Sequence, residues 1–443
     1  MGAHPRTLLA DCGKVNRPRP GLTLEVAASM FGRYEISDRW AERGRSSDAR
    51  AMTRPDIVAP TPNGGSAYPR YASRASGAHV WDVDGHRYVD FLLGYGPVVL
   101  GHADPRVNDA VVPELGRGVC VAPLWSPRQV ELTELLASVV PGAERALLLK
   151  TGSDATSAAV RLARIHTGRP LVARWGYNGW HDWSVEQAAG VPDAVRSATL
   201  RFQYDDLDGL ARLFDTHPGA IACVVTVPFG DDTAPPGRLQ AIRELCHRNG
   251  ALFVLDEMRS GFRLALGGAQ EALGVTADLA TFSKAMANGY AISAVTGSAD
   301  VLAGLARTKI SSTFFANPAG MVAALRTIEI LRDTDALDHL SAMGALLQQG
   351  LREVFTGAGV PASVIGYPSM PFVQFAFEDA ARQEAYVWAL FRATTERGIL
   401  LHPSHQWFLS AAHTPDDIEF AIDAVRAATE VAAAAVEAPT RGR

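Results

Sequence analysis

Between residues 145 and 300 the chain alternates short apolar runs with stretches of helical periodicity, and this rhythm constrains the fold more than any single motif. The runs are Ala146-Leu147-Leu148-Leu149, Leu171-Val172-Ala173, Ile221 to Val227, Ala251 to Leu255, Leu279-Ala280-Thr281 and Ala291 to Thr296. Strand and helix in alternation predict a mostly parallel sheet covered by helices, an α/β fold. After Pro318 the pattern turns helical, with short strands expected near Phe372–Phe375 and Gly398–Leu401. A last helix opens at Thr414-Pro415-Asp416-Asp417, a threonine N-cap with proline at the first helical position. Upstream, Val80 to Phe91 alternates around Asp84-Gly85, a hairpin signal. A length of 443 residues exceeds one hydrophobic core, so two domains are expected.

Two residues stand out against this frame. Asp256 closes the all-apolar run Ala251-Leu252-Phe253-Val254-Leu255, at the strand end where open parallel sheets place ligands. Lys284 follows a second short run, in Thr281-Phe282-Ser283-Lys284, and can reach the same crevice. Pyridoxal phosphate enzymes need this pair, a lysine that carries the cofactor and an acid facing the pyridinium nitrogen. The plainer reading is a strand-end carboxylate and a surface lysine.

Ordered blocks around the pair carry a resemblance. They are Ala78-His79-Val80-Trp81-Asp82-Val83-Asp84-Gly85, Gly96-Pro97-Val98-Val99-Leu100-Gly101-His102, Thr151-Gly152-Ser153-Asp154-Ala155-Thr156, Gly176-Tyr177-Asn178-Gly179, the Asp256 and Lys284 segments, and Ser311-Ser312-Thr313-Phe314-Phe315-Ala316-Asn317-Pro318. From about residue 40 to about 430 the chain resembles the class III aminotransferases, in the branch near glutamate-1-semialdehyde aminomutase. The resemblance implies a fold-type-I transferase, with a large doubly wound domain and a smaller α+β domain. The expected division is a flexible tail over 1–30, the N-terminal part of the small domain over 31–98, the large cofactor domain over 99–318 and the C-terminal small domain over 319–443.

It also implies roles. Gly152 and Ser153, in a glycine turn before a helix, match a phosphate cradle, for which a helix N-terminus is suited. Tyr177 matches the aromatic residue stacked on the cofactor ring, and Met258 the position against the ring's other face. Thr313 matches a threonine that reaches the phosphate of a neighbouring subunit, which implies a homodimer with shared active sites. Ser47 and Arg50 are the nearest match to a substrate-carboxylate clamp, although the family's Pro-Gly-Gly is missing. Tyr95 stands where a tryptophan is often found beside the aminomutase substrate. The segment His402-Pro403-Ser404-His405-Gln406-Trp407-Phe408 lacks the glutamate that aminomutases carry there.

These departures favour a transaminase, which moves an amino group from an amino acid donor to a keto or aldehyde acceptor. Tyr95, Trp183, His405 and Trp407 together suggest a bulky or polyhydroxylated acceptor. The alternatives are a 1,2-aminomutase, a racemase, a dehydrating aminotransferase acting on a cyclic keto acid, and a catalytically silent subunit that kept the fold.

Composition removes other classes. A formal charge of -5 with no basic cluster argues against a nucleic-acid partner. Four cysteines without CxxC spacing fit a reducing cytoplasm. No apolar run reaches membrane-spanning length, and the start has no signal-peptide core. Asp82 and Asp84 hint at a calcium loop, but Arg87 and Leu93 occupy the positions that need Gly and Glu. His181-Asp182 has no companions at metal-ligand spacing, so no metal is expected. Gly94-Tyr95-Gly96 lacks the third glycine of a dinucleotide loop.

Overall fold

The computed structural model describes residues 33–49 and 68–437. The expected tail over 1–30 and Arg50 lie outside the described residues. The strands are β1 (Ala72–Ser76), β2 (His79–Asp82), β3 (Arg87–Asp90), β4 (Arg145–Leu149), β5 (Leu171–Trp175), β6 (Thr199–Arg201), β7 (Ile221–Thr226), β8 (Leu252–Asp256), β9 (Leu279–Phe282), β10 (Ser293–Gly297), β11 (Ala362–Ile365), β12 (Phe372–Phe375) and β13 (Ile399–Leu400).

Seven of them form one sheet in the order β4-β10-β9-β8-β7-β5-β6. β5 to β9 run parallel to one another, and β10 is the reversed strand, antiparallel to both β9 and β4. Every residue of β7 is buried, as an unalternating apolar run requires. The two sides of the sheet pack different helices. On one, Ala155, Ala159, Leu162 and Ala163 of the Gly152–Thr167 helix meet Cys223, Val225 and Val254. These helix positions recur at i, i+4, i+7 and i+8, a single apolar stripe whose small side chains let the helix lie close. On the other, Leu210, Phe214, Leu239, Ile242 and Cys246 meet Val224, Phe253 and Leu255. Cys223 is a small core residue, its thiol pushed up to about 12 by burial.

Six strands of this sheet coincide with the apolar runs; β6 does not. Thr199-Leu200-Arg201 is an edge strand with one paired side, so backbone pairing holds it without an apolar signature. The same holds for β1, the edge of the small sheet β1-β2-β3-β13. In that sheet β2 and β3 form the hairpin around Asp84-Gly85, and β13 pairs in parallel with β3. The carboxylates of the turn are both engaged within the chain. Asp82 accepts from the His86 backbone N–H (2.8 Å) and the Tyr88 hydroxyl (2.8 Å), and Asp84 accepts from the N–H groups of Ile36 and Ser37 at the start of the Glu35–Gly44 helix. β11 and β12 make a separate ribbon. The closing helix spans Pro415–Glu437, with Thr414 Oγ1 accepting from the Asp417 N–H as the proline-marked cap requires. No helix among the described residues is long and apolar enough to cross a membrane.

His413 lies fully buried against Phe91, with ring centroids 4.7 Å apart. Its Nδ1 accepts from the Ser410 N–H (3.0 Å). Burial pulls its pKa down to about 4. The folded state therefore binds fewer protons here than the unfolded chain. The stability this contributes is complete above about pH 6.5 and is lost as the pH falls toward 4. A shift of this size corresponds to roughly 3 kcal/mol. Urea midpoints should fall between pH 6.5 and 4, and His413→Gln should flatten that slope.

Candidate active site

β4, β5, β7, β8 and β9 point the same way, so their C-terminal ends open along one edge of the large sheet. Asp256 is the last residue of β8, the central strand, and is 1% exposed. It accepts from Asn178 Nδ2 (2.8 Å) and from the Met258 backbone N–H (3.1 Å). Burial raises its pKa, opposed by the Asn178 bond, the Met258 N–H and the charge of Lys284. Among the described residues it has no ion pair. A buried carboxylate held only by neutral donors is suited to a cationic partner from outside the chain.

Lys284 begins a short 3-10 turn just after β9, with φ at 41°, a left-handed conformation costly for a side-chain-bearing residue. Burial lowers its pKa to about 8, helped by the charge of Arg259 and opposed by Asp256. A lysine in this range has a substantial neutral fraction near pH 8, as an amine that bonds to carbon or accepts a proton must.

After β4, Thr151 caps the Gly152–Thr167 helix in a reciprocal capping box with Asp154. The cap takes the Asp154 N–H, and the Ala155 N–H goes to the Thr151 carbonyl. The N–H groups of Gly152 and Ser153 are thus left for an outside anion. Chain packing demands glycine nearby. A Cβ on Gly179, at φ +103°, would sit 2.4 Å from Ser153 Oγ, and one on Gly152 would sit 2.9 Å from Met258 Sδ. The Trp180 N–H donates to Ser153 Oγ (3.2 Å), tying the loop after β5 to the cradle.

That loop carries Tyr177, 68% exposed on the open side, and Asn178, which is buried. Asn178 Oδ1 is buried without a hydrogen-bond partner. In the sequence Asn178 is only a member of the Gly176-Tyr177-Asn178-Gly179 block, yet it is the side chain that donates to Asp256. Lys150, one residue before the cap, was also missed: its pKa falls to about 8 through burial, and it donates to the Asn317 carbonyl (3.3 Å).

On the C-terminal side, Tyr95 and His405 come together, their ring centroids 5.1 Å apart. His405 Nδ1 donates to the Gln406 carbonyl (2.9 Å), and burial lowers its pKa with help from Lys284 and Arg259. Arg259 donates to Gln406 Oε1 (2.5 Å) and to the carbonyls of Phe229 and Gly230. Gln406 Nε2 in turn donates to the carbonyls of Gly230 and Asp231 (3.1 Å each). Two members of the expected acceptor set lie elsewhere. Trp407 is 2% exposed, donates to the His402 carbonyl and packs edge-on against Phe391, so it belongs to the core. Trp183 bonds to Ser157 on the outer face of the Gly152–Thr167 helix. Ser47 is exposed, past the end of the Glu35–Gly44 helix. Thr313 is exposed on the loop before the Pro318–Asp333 helix. Among the described residues no three His, Cys, Asp or Glu side chains are grouped to hold a metal ion.

Comparison with known proteins shows the family. The family model for aminotransferase class-III matches residues 61–182 and 195–414. A 3-aminobutyryl-CoA aminotransferase of Cloacimonas acidaminovorans is 38% identical over 367 residues, 81% of this chain and 88% of that protein. A glutamate-1-semialdehyde 2,1-aminomutase of Thermomicrobium roseum is 35% identical over 390 residues, 81% of this chain and 90% of that protein. The solved pyridoxal phosphate form of the FumI protein of Sphingopyxis sp. MTA144 superposes with a TM-score of 0.83 at 32% identity, covering 90% of this chain and 96% of that one. With its acid, its lysine and its glycine-fed helix end at one edge of a fold-type-I sheet, the chain belongs to the class III aminotransferases, enzymes that depend on pyridoxal phosphate.

Proposed function

We propose that the protein is a transaminase rather than a mutase, returning to its starting form only when a second substrate, the acceptor, takes the nitrogen. The observation that carries this reading is the segment 402–408, which has no glutamate where aminomutases carry one. Its carboxamide, Gln406, is engaged by Arg259 and by two backbone carbonyls. A mutase must hold the deaminated substrate at both ends until nitrogen returns to the neighbouring carbon. The 35% identity to the Thermomicrobium roseum enzyme favours the mutase as a second reading.

The residues present fit the cofactor. The cradle admits no Cβ at Gly179, Asp256 is buried without a cation, and Asn178 Oδ1 lacks a partner. Gly152 and Ser153 would hold the phosphate, Tyr177 and Met258 the two ring faces, and Asp256 the ring nitrogen. When bound, pyridoxal phosphate supplies an electron sink for the bond that breaks at the substrate's α-carbon. Lys284 would hold the cofactor and would carry a proton to and from that carbon. Burial, helped by the charge of Arg259, opposes protonation of Lys284 and keeps its amine available.

Incubation with an amino donor alone tests the reading. A transaminase stops after one half-reaction, leaving the cofactor as its amine form and one keto product per site. Sustained isomerisation of one amino compound without an acceptor overturns it in favour of the mutase.

We further propose a cytoplasmic homodimer in which the partner's Thr313 loop completes each site. Support comes from the large apolar side chains left exposed on a single chain, Leu124 (72%), Trp125 (69%) and Phe314 (62%), the last beside Thr313 itself. Light scattering should give twice the 47.3 kDa chain mass. Thr313→Ala should weaken cofactor retention about tenfold, through loss of one charge-assisted bond to phosphate. Unchanged retention in Thr313→Ala would remove the shared-site reading.

A further inference from the structure

One turn beyond the cradle, the Gly152–Thr167 helix borders a cavity of about 580 Å³ whose walls include Ser157, Arg161, Arg164, Trp180, His181 and Trp183. Trp183 Nε1 donates to Ser157 Oγ (2.9 Å), and the same hydroxyl shares a hydrogen bond with His181 Nδ1 (2.7 Å). In the tautomer that accepts from Ser157 at Nδ1, His181 carries its proton on Nε2, where it can donate to a ligand. Arg161 and Arg164 each give one nitrogen to a backbone carbonyl, of Lys309 (3.5 Å) and Pro170 (2.9 Å). Among the described residues neither guanidinium has a carboxylate partner, Asp182 on the cavity wall included. The adjoining cavity, about 310 Å³, makes the contrast clear. Each of its arginines has a carboxylate partner, Arg174 and Arg201 sharing Glu186 (2.6 and 2.7 Å) and Arg196 on Asp193 (3.0 Å).

Two adjacent guanidiniums without counter-charge and an imidazole N–H suit a dianionic group, which Arg binds through paired N–H donors. The indole of Trp180, 68% exposed, offers a flat apolar face beside them. We propose that this cavity is a second ligand site, taking a phosphate-bearing planar ring of the nucleoside monophosphate class. The phosphate lies on Arg161, Arg164 and His181, and the ring lies against Trp180. Such a group can arrive as a free nucleotide or as the nucleotide end of a larger acceptor.

Calorimetric titration of the cofactor-loaded enzyme, in which the Gly152–Ser153 cradle is filled, tests the proposal. AMP should bind once per chain, with adenosine and ribose 5-phosphate each at least about tenfold weaker, because each lacks half of the recognition. Arg161 is exposed, so its replacement spares the core. Arg161→Gln should weaken AMP about tenfold and leave transamination of small substrates unchanged, while Arg161→Lys should keep most of the affinity. AMP that competes with the acceptor marks the site as part of the substrate's path, and AMP that binds without competition marks it as an effector site. Both outcomes support the site. Absence of AMP binding at millimolar concentration, or equal AMP affinity in Arg161→Gln, overturns it.

Discussion

Lys284→Ala should reduce turnover by at least about 10⁴-fold, because covalent attachment and proton transfer at the α-carbon both depend on one amine. Its φ of 41° and its pKa near 8 describe a side chain placed at a conformational cost and kept partly neutral. The phosphate cradle is untouched by the replacement, so the variant should still bind the cofactor, without the covalent link. Borohydride reduction and peptide mapping provide the positive control: the pyridoxyl group should appear on Lys284 in the wild type and nowhere in the variant. Added small amines should restore a fraction of the rate, since they can take the proton that Lys284 carries. Labelling at another lysine, or a variant of near-normal rate, would remove Lys284 from the assignment.

Asp256→Ala should slow turnover by about three orders of magnitude, equivalent to about 4 kcal/mol of transition-state stabilisation. The loss is electrostatic: the carboxylate would face the ring nitrogen and hold positive charge there. Asp256→Asn separates charge from shape. It keeps a side chain between Asn178 and the Met258 N–H yet loses the charge, so it should be nearly as slow as Asp256→Ala. The alanine variant should also be less stable, because Asn178 Nδ2 is left buried without an acceptor, at a cost of about 1–3 kcal/mol. A fast Asp256→Asn enzyme would show that shape, not charge, is what the position supplies.

How much of this was legible beforehand follows from what each residue depends on. Six strands of the main sheet declared themselves as apolar runs because both their faces are covered, and Asp256 stood out as the acid ending one of them. β6 and β1 did not: both are edge strands held by backbone pairing with largely exposed or half-buried side chains, whereas β4, the other edge of the main sheet, keeps its apolar run. Gly152 and Ser153 were readable from a turn feeding a helix. Asn178 was not, because its contact with Asp256 joins residues 78 apart in sequence, a contact no local pattern encodes. Trp407 and Trp183 were grouped with Tyr95 and His405 on aromatic character alone. Folding sent one into the core and the other to the far side of a helix, a choice made by hydrogen bonds to the His402 carbonyl and to Ser157.

The pairing of β3 with β13 has a consequence for how the protein is made. Ile399 and Leu400 complete a sheet begun by Val89 and Asp90, about 310 residues earlier. A ribosome adding roughly 5–20 residues per second leaves the first hairpin waiting for about 15–60 s before its neighbour emerges. The parallel sheet from β4 to β10 is complete in sequence by residue 297 and can close during that interval. Until then the paired edge of β3 is an open template for other chains. Nascent chains halted between residues 300 and 399 should therefore bind chaperones through the Arg87–Asp90 edge, and release of the C-terminal segment should end that binding.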